Sequence, residues 1–201
     1  MKRLALVALI IVAFAASASA QGMQAGLKGG LNISKATGDD VPDEAAWLYS
    51  GIGGAFLCYM FNDMFAIQPE LLFAMKGWKI DVEDETFKTK LNYIEIPLLL
   101  RLNIPTEGSM TPAIFAGPSI GFLMSAKAED EDIKEFLKST DFGLVFGAGL
   151  NHELSEDKGF ITYEVRYSLG LAKVFDLDEV DEQPDVKNMG ISIMVGYGKS
   201  F

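Results

Sequence analysis

The chain has only one cysteine, Cys58, and only one histidine, His152. A single cysteine cannot form an internal disulfide, so this fold must be stabilised without covalent cross-links. Beyond residue 20, no segment approaches the roughly 20 uninterrupted apolar residues that a membrane-spanning helix needs. Basic residues are also few, 17 against 28 acidic ones, and this acidity argues against nucleic-acid binding. Disulfide scaffolds, helical membrane bundles and nucleic-acid-binding modules are therefore disfavoured.

The first 20 residues have the pattern of a secretory signal peptide. Lys2 and Arg3 give a short basic start, residues 4–16 are an apolar run, and Ala18-Ser19-Ala20 is a small-residue cleavage site. The apolar run is shorter than a membrane span requires. We predict a cleaved signal peptide over residues 1–20 and one domain over residues 21–201.

The composition of the chain is apolar and rich in glycine. Hydrophobic residues make up 49% of the sequence, and 20 residues are glycines. A chain that is exported, apolar and without spanning helices can still cross a membrane as a closed β-barrel, because the barrel pairs all of its backbone groups. The composition therefore favours a membrane barrel.

Strict alternation of apolar residues with other residues indicates β-strands. Each candidate strand has about 13 residues, more than the 9–11 that cross a bilayer and far more than a typical soluble strand. We predict an all-β fold, an eight-stranded antiparallel up-and-down transmembrane β-barrel. The register of the first two strands stays open, because the second is apolar on both faces. The candidate strands are Met23–Lys35, Tyr49–Phe61, Phe65–Trp78, Leu91–Ile104, Pro112–Met124, Thr140–Glu153, Phe160–Ala172 and Asn188–Phe201.

Short and long connections alternate along the predicted barrel. The short ones are Asn62–Met64, Pro105–Thr111 and Leu154–Gly159, and the long ones are Ala36–Leu48, Lys79–Lys90, Ser125–Ser139 and Lys173–Lys187. Outer-membrane barrels have tight periplasmic turns and longer external loops, so both termini are expected on the periplasmic side. The long connections hold 19 of the 28 acidic residues. This gives either an acidic external rim for binding or simply a solvated loop face.

The charged residues within the strands decide which face meets lipid. A charge on the lipid face at the bilayer midplane costs roughly 2–4 kcal/mol, so the apolar faces must point outward. Buried charges need partners, and equal numbers of both signs allow pairing. Because an eight-stranded barrel is filled by side chains, we interpret the inward charges as an ionic core and not as a pore or a catalytic site. The predicted interior set is Lys28, Lys76, Arg101 and Arg166 with Glu70, Glu95, Asp141 and Glu164.

Aromatic residues lie at both ends of the predicted strands, as in the two interfacial girdles of membrane barrels. The chain also ends on an aromatic residue, Phe201, after the alternating residues Ile193, Val195 and Tyr197, with Lys199 interrupting the alternation. This ending looks like the signal by which outer-membrane proteins are recognised by assembly machinery. The girdle candidates are Phe61, Phe65, Phe160 and Phe201 at the periplasmic end and Trp47, Tyr49 and Trp78 at the external end.

Five phrases in order resemble a known family: GLKGGLNIS from Gly26, PELLFAMKGWK from Pro69, LNYIEIPLLLRL from Leu91, AGPSIGFLMSAK from Ala116 and DFGLVFGAGL from Asp141. They are similar to the PorT-like outer-membrane β-barrel domain family, abundant in Bacteroidetes. The resemblance implies an eight-stranded barrel in the bacterial outer membrane. Most members have no assigned function, and the naming member is associated with a protein-secretion apparatus. The resemblance supplies no catalytic motif.

Few residues in the sequence are candidates for catalysis or for metal binding. His152 has no placed serine or carboxylate partner, and Ser119 lacks the surroundings of a nucleophile elbow. The acidic run Asp176, Asp178, Glu179 and Asp181 could attract calcium weakly but lacks the spacing of an EF-hand loop. We therefore predict no catalytic residues, no cofactor and no specific metal site.

The leading hypothesis is a non-enzymatic outer-membrane protein that stabilises the envelope or presents its loops to ligands. Its expected partners are outer-membrane lipid and the assembly machinery, and nucleic acid is not expected. Three alternatives stay open. These are an accessory of a secretion or assembly machine, a lipid-acting enzyme using His152 and Ser119, and a soluble secreted barrel that binds an apolar ligand.

Overall fold

A computed structural model describes residues 22–82, 85–155, 158–177 and 182–201. The predicted signal peptide, residues 1–20, lies outside these ranges. Most of the described chain is in strands, and one short 3₁₀ turn, Lys134–Phe136, interrupts them. The strands are β1 (Met23–Thr37), β2 (Ala45–Met60), β3 (Phe65–Val82), β4 (Glu85–Asn103), β5 (Met110–Ala128), the two-residue β6 (Glu131–Asp132), β7 (Thr140–Ser155), β8 (Gly159–Gly170) and β9 (Lys187–Ser200).

Eight of these strands close into a barrel. Each pairs antiparallel with its sequence neighbours, with β6 attached beside β5, and β1 pairs with β9. The additional pairing of β4 with β5 leaves no open edge. The predicted eight-stranded up-and-down barrel is therefore confirmed. Among the described residues, no helix is long and apolar enough to cross a membrane.

Several strands run further than the sequence predicts. Most of the predicted connection Lys79–Lys90 is strand, since β3 continues to Val82, which pairs with Glu85 at the start of β4. β5 likewise continues past Met124 to Ala128. Backbone pairing persists here, but the outer face has become polar, so the apolar alternation that marks a strand disappears. The prediction was wrong at these ends because it relied on that alternation alone.

The barrel is apolar outside and mostly polar inside. Along β4, Leu98 and Leu100 are exposed, whereas Leu99 and Arg101 between and beside them are buried. The open register of β2 is resolved by the pairing of Lys28 with Gly54, which places Ile52, Phe56 and Cys58 on the inner face. An exposed apolar belt is what a lipid-facing surface requires.

Two aromatic residues expected in the girdles point inward instead. Trp78 and Phe160 are both buried. Phe160 packs against Phe56 inside the barrel, with ring centroids 6.3 Å apart. Their strand parity puts them on the inner face, where an indole or phenyl ring fills space at a barrel end. Phe61, Phe65, Phe201 and Tyr49 are exposed, as a girdle requires.

The two ends of the barrel differ. The short turns, the start of β1 and the end of β9 lie at one end of the barrel, which we call the turn end. At the other end the long connections fold over the lumen as a compact cap, which comprises the described residues of 38–44, 129–139 and 171–186. An apolar cluster joins this cap to the barrel wall. Its buried members are Ala36, Trp78, Leu91, Tyr93, Leu123, Ala126, Leu137, Val174 and Val186.

Candidate functional site

The eight charged residues assigned to the interior all have side chains on the inner face of the barrel. Seven are buried, and the side chain of Lys76 is 11% exposed. They divide into two groups at different heights. The group nearer the turn end, the turn-side network, consists of Lys28, Glu70, Arg101, Glu164 and Arg166. The group nearer the cap, the cap-side network, consists of Lys76, Glu95 and Asp141.

The turn-side network is centred on two carboxylates. Arg166 donates to Glu70 through both terminal nitrogens, at 2.6 and 2.8 Å, and also contacts Glu164. The Lys28 ammonium bridges the same two carboxylates, at 2.7 Å to Glu70 and 3.0 Å to Glu164. Arg101 reaches Glu164 at 3.3 Å. Bidentate guanidinium–carboxylate pairs of this kind are among the stronger hydrogen-bonded contacts in proteins.

Neutral side chains complete this network. Gln68 donates to Glu70 at 2.7 Å and accepts from Arg101 at 3.2 Å. The other Arg101 nitrogens donate to Asn103 and Asn151, each at 3.0 Å. A buried charge is tolerated when its remaining donors and acceptors are also bonded. The predicted ionic core names only charged residues, although the strand parity of these amides also places them inward.

Glycine and phenylalanine make room for the cations. A side chain at Gly196 would bring its Cβ within 2.7 Å of the Lys28 Cβ, so glycine there lets Lys28 lie flat against β9. A Cβ at Gly147 would meet the Phe115 ring at 2.4 Å. That ring lies under both guanidinium groups, 5.9 Å from Arg101 and 5.1 Å from Arg166. Such cation–π contacts stabilise partly desolvated cations.

In the cap-side network the carboxylates outnumber the cations. Lys76 pairs with Glu95 and lies 3.5 Å from Asp141, so one cation faces two carboxylates. Asn188 donates to Asp141 at 2.9 Å and lies 3.4 Å from the Tyr93 hydroxyl. Ser119 Oγ and Asp141 Oδ1 have no hydrogen-bond partner among the described residues. Together with Lys76 they line a cavity of about 10 Å³, about the size of one water molecule.

Apolar residues separate the two networks along the strands. On β3, Leu72 and Ala74 lie between Glu70 and Lys76 on the inner face. They pack with Ile52 and Met194 from β2 and β9. On β4, Leu99 holds the equivalent position and packs with Phe115 and Val145. Among the described residues no ion pair joins the networks.

Cations and carboxylates are equal in number over the whole interior set but not within each network. The turn-side network carries three cations and two carboxylates, and the cap-side network carries one cation and two carboxylates. The formal charges are one positive and one negative, stacked along the barrel axis. Interactions between charges persist over longer distances in a low-dielectric interior than in water.

The structure does not bring the two catalytic candidates together. Ser119 pairs with Gly143 and faces the interior near the cap, whereas His152 lies on the outer face of β7 near the turn end, opposite Met110. From Gly143 to His152 is nine residue steps along β7, about 30 Å of extended chain. They cannot act as a nucleophile and its base.

The predicted calcium segment is only partly described. Asp176 lies in the cap, and residues 178–181 fall outside the described residues. Within the described ranges, no three His, Cys, Asp or Glu side chains come close enough to share a metal ion.

The chain's end lies along the closing pair of strands at the turn end. The Tyr197 hydroxyl donates to the Lys158 carbonyl at 2.9 Å, and the Phe201 amide donates to the Met23 carbonyl at 2.8 Å. Both aromatic rings are exposed on the outer surface. Recognition of this ending by assembly machinery stays a prediction.

A closed eight-stranded barrel with an apolar outer belt and a charged, filled interior defines the class of small membrane barrels. The chain belongs to the outer membrane protein beta-barrel domain family, whose sequence profile matches residues 14–176. Family membership places the protein in the bacterial outer membrane. No curated protein sequence matches the chain.

Three solved structures illustrate the shared architecture. Neisserial surface protein A is 16% identical with a TM-score of 0.54, and the alignment covers 88% of this chain and 97% of that one. OprG from Pseudomonas aeruginosa is 14% identical with a TM-score of 0.54, covering 90% and 97%. Outer membrane protein W of E. coli is 14% identical with a TM-score of 0.53, covering 90% and 98%. At these identities the likeness shows the fold alone.

Proposed function

We propose that this chain is a non-enzymatic outer-membrane protein that uses its cap as a binding surface outside the cell. The observation that carries the proposal is the closure of the lumen at both levels. The turn-side network ties opposite walls together, and the apolar cluster under the cap fills the other end. Within the part of the chain that the structure describes, the interior cavities are about 10 Å³ each, too small for a ligand larger than water, so binding falls to the exterior of the barrel.

The order within the cap supports a binding role. Leu137 pairs with Phe175 in an isolated β-bridge, and the Lys138 amide donates to the Val174 carbonyl at 2.9 Å. A further tie runs from the Asp185 amide to the Asp40 carboxylate at 2.7 Å. Three connections are therefore held against one another. A preorganised surface loses less conformational entropy on binding than a flexible loop does.

The charge of the cap indicates what it could bind. Acidic side chains from all three connections reach its surface, including Asp39, Asp130, Glu135 and Asp176. A surface of one sign attracts partners of the other sign and speeds their encounter. A cationic partner at the cell surface therefore fits the cap best.

The separation of Ser119 from His152 supports a non-enzymatic role, because the lipid-acting alternative depended on those two residues. An accessory role in protein secretion is the second candidate, and the five phrases shared with PorT-like proteins favour it. That role would place contacts at the periplasmic turns as well as at the cap.

We also propose that residues 1–20 are removed on export and that Tyr197 and Phe201 are recognised by assembly machinery.

Site-specific photocrosslinking in cells separates the two candidates. A photoreactive residue at Asp130 in the cap or at Asp63 in the first short turn reports contacts at either end. The cap-binding proposal expects a discrete product from position 130 that is lost when neighbouring cap carboxylates are changed to amides. Products from position 63 alone would contradict it and favour the secretion accessory.

Conductance across a planar bilayer tests the filled interior on which the proposal depends. The wild-type barrel is expected to give no steady ion current. The comparison is the double variant Arg166→Ala with Glu70→Ala, which removes the bidentate ion pair that crosses the lumen. A steady open channel in the wild-type protein would contradict the proposal.

A further inference from the structure

Four lysines lie on one face of the sheet where β3, β4 and β5 rise above the barrel. Lys79 pairs directly with Lys88, and Lys90 pairs directly with Lys127. Lys88 and Lys90 are two residues apart on β4, so all four point the same way. We call Lys79, Lys88, Lys90 and Lys127 the lysine face.

The lysine face is on the outside of the barrel. The residues that alternate with the lysines, Trp78, Leu91 and Ala126, belong to the buried cluster under the cap. Because successive side chains on a strand point to opposite faces, the lysines must point outward. Lys88, Lys90 and Lys127 are accordingly exposed.

The lysine face begins where the apolar belt ends. Reading toward the cap, the outward pair Phe73–Ile94 is followed by Met75–Asn92 and then by Gly77–Lys90. Asn92 donates to Ser125 at 2.9 Å, which makes a polar step between the belt and the lysines. Two residues of strand span about 7 Å. The lysine face therefore starts about 7 Å beyond Met75 on the cap side, where we expect the headgroups of the lipids that cover the apolar belt.

The pairing of like charges is unfavourable unless something neutralises it. Lysines directly opposite each other on neighbouring strands repel, and such pairs destabilise a sheet. Here two such pairs are adjacent, in a chain whose net charge is −11. An arrangement that costs stability and opposes the overall charge of the chain points to an anionic ligand.

Nearby acids neutralise only part of the lysine face. Asp81 pairs with Lys79 at 2.8 Å, and Asp132 lies opposite Lys127 on β6. The Glu129 carboxylate accepts a hydrogen bond from the Lys88 backbone amide. Among the described residues, Lys88, Lys90 and Lys127 have no acidic partner within ion-pairing distance.

A fifth lysine marks the same level of the membrane. Lys134, from the 3₁₀ turn in the cap, donates through its ammonium group to the carbonyl of Met124 at 2.9 Å. Met124 is exposed on the outer face of β5, next to the apolar belt. The cation is therefore held at the boundary between the belt and the lysine face.

We propose that the lysine face binds the phosphate groups of lipids in the outer leaflet of the surrounding membrane. The long connections of outer-membrane barrels lie outside the cell, so the lysine face adjoins that leaflet. Lysine ammonium groups bind phosphate as point charges, and basic residues beside an anionic lipid surface each strengthen attachment. The site fixes one side of the barrel to phosphorylated lipid and goes beyond the proposed role of the cap.

Native mass spectrometry of the detergent-solubilised full barrel tests this site. The probes are diphosphorylated lipid A, the same lipid without phosphates, and inorganic phosphate. The variants are K88Q/K90Q/K127Q, its charge-conserving counterpart K88R/K90R/K127R, and the control K138Q/K158Q/K199Q, which removes three lysines elsewhere. A heat-dependent shift in gel mobility checks that each variant is folded.

Wild-type protein is expected to bind the phosphorylated lipid at least about tenfold more tightly than the dephosphorylated one, given the contribution of each lysine. The glutamine variant should lose this preference, and the arginine variant and the control should keep it. Equal binding of both lipids by the wild-type barrel, or an equal loss in the control, would overturn the proposal. So would displacement of the lipid by equimolar inorganic phosphate, since free phosphate would then be the ligand.

Discussion

Arg166 and Glu70 join strands that lie opposite each other in the ring of eight. Arg166 is on β8 and Glu70 on β3, with three strands between them in either direction around the barrel. Their two hydrogen bonds therefore cross the lumen and do not run along the wall. The pair braces the barrel at the level where Lys28 also bridges Glu70 and Glu164.

Removing a carboxylate from the turn-side network should cost more than removing a cation. Glu70→Gln would leave three cations around Glu164 alone, whereas Arg101→Gln would leave two cations with two carboxylates. Breaking a buried ion pair on one side costs about 3–5 kcal/mol. We expect Glu70→Gln to reach that range and Arg101→Gln to stay below it. Urea unfolding of the barrel in phospholipid vesicles measures both values.

A neutral control separates this charge effect from the loss of a hydrogen bond. Gln68→Leu removes the amide that bonds both Glu70 and Arg101 but leaves every charge in place. Its cost should be that of a neutral hydrogen bond, about 0.5–1.5 kcal/mol. If Arg101→Gln proves more costly than Glu70→Gln, the local excess of positive charge does not govern stability.

In the cap-side network, removing the cation should cost more stability than removing a carboxylate. Lys76→Gln would leave Glu95 and Asp141 facing each other without their shared cation, whereas Glu95→Gln would leave one ion pair. We expect Lys76→Gln to lower the free energy of unfolding more, by about 3–5 kcal/mol. The same urea titration in vesicles measures it. Equal losses for the two variants would show that the networks are not electrically separate.

The fold could be predicted from the sequence because it depends on alternation, and the inward charges were inferred from the same pattern. A charge such as Arg101 or Glu95 inside an apolar strand can face only one way in a membrane. The family match and the closed barrel confirm the architecture. Residue order could not predict how the charges divide between two levels, because that depends on strand stagger and on the apolar residues between them.

The cap could not be predicted from strand periodicity. Leu137, Val174 and Val186 lie in acidic connections that look solvated as a whole, and only their contacts with Trp78 reveal a shared core. A signal was present in the sequence, since apolar residues recur within those charged segments. Reading it requires knowing which connections meet over the lumen.

Leu137 should stabilise the cap, and its neighbour Phe136 should not. Leu137 is 5% exposed within the apolar cluster, whereas Phe136 is 48% exposed. Truncating a buried leucine to alanine costs about 2–5 kcal/mol. We expect Leu137→Ala to open the cap to limited proteolysis while the barrel keeps its heat-dependent gel mobility. Phe136→Ala is the matched control, and equal cleavage of both variants would contradict the assignment of Leu137 to the core.

Asp185 should make the contacts between the cap connections depend on pH. Hydrogen bonding to Lys187, and then to the Asp39 backbone amide, holds the pKa of the Asp185 carboxyl below its usual value of 3.8. Because the folded pKa is lowered, the carboxylate's contribution to stability is complete above pH 3.8 and is lost as the pH falls through the folded pKa. An NMR titration of the Asp185 carboxyl carbon should give a midpoint below 3.8.

Lys187→Gln is the variant that tests the cause of this shift. It removes the cation 2.7 Å from the Asp185 carboxylate, so the Asp185 midpoint should rise toward the usual value. The Asp185 side chain is 21% exposed, so solvent ions still reach the pair and the difference between wild-type protein and variant should shrink as salt is added. Lys138→Gln removes a cation for which no contact to Asp185 is seen and should leave the midpoint unchanged. A midpoint that does not respond to Lys187→Gln would assign the shift to the Asp39 amide instead, and the effect of salt on it would then be small.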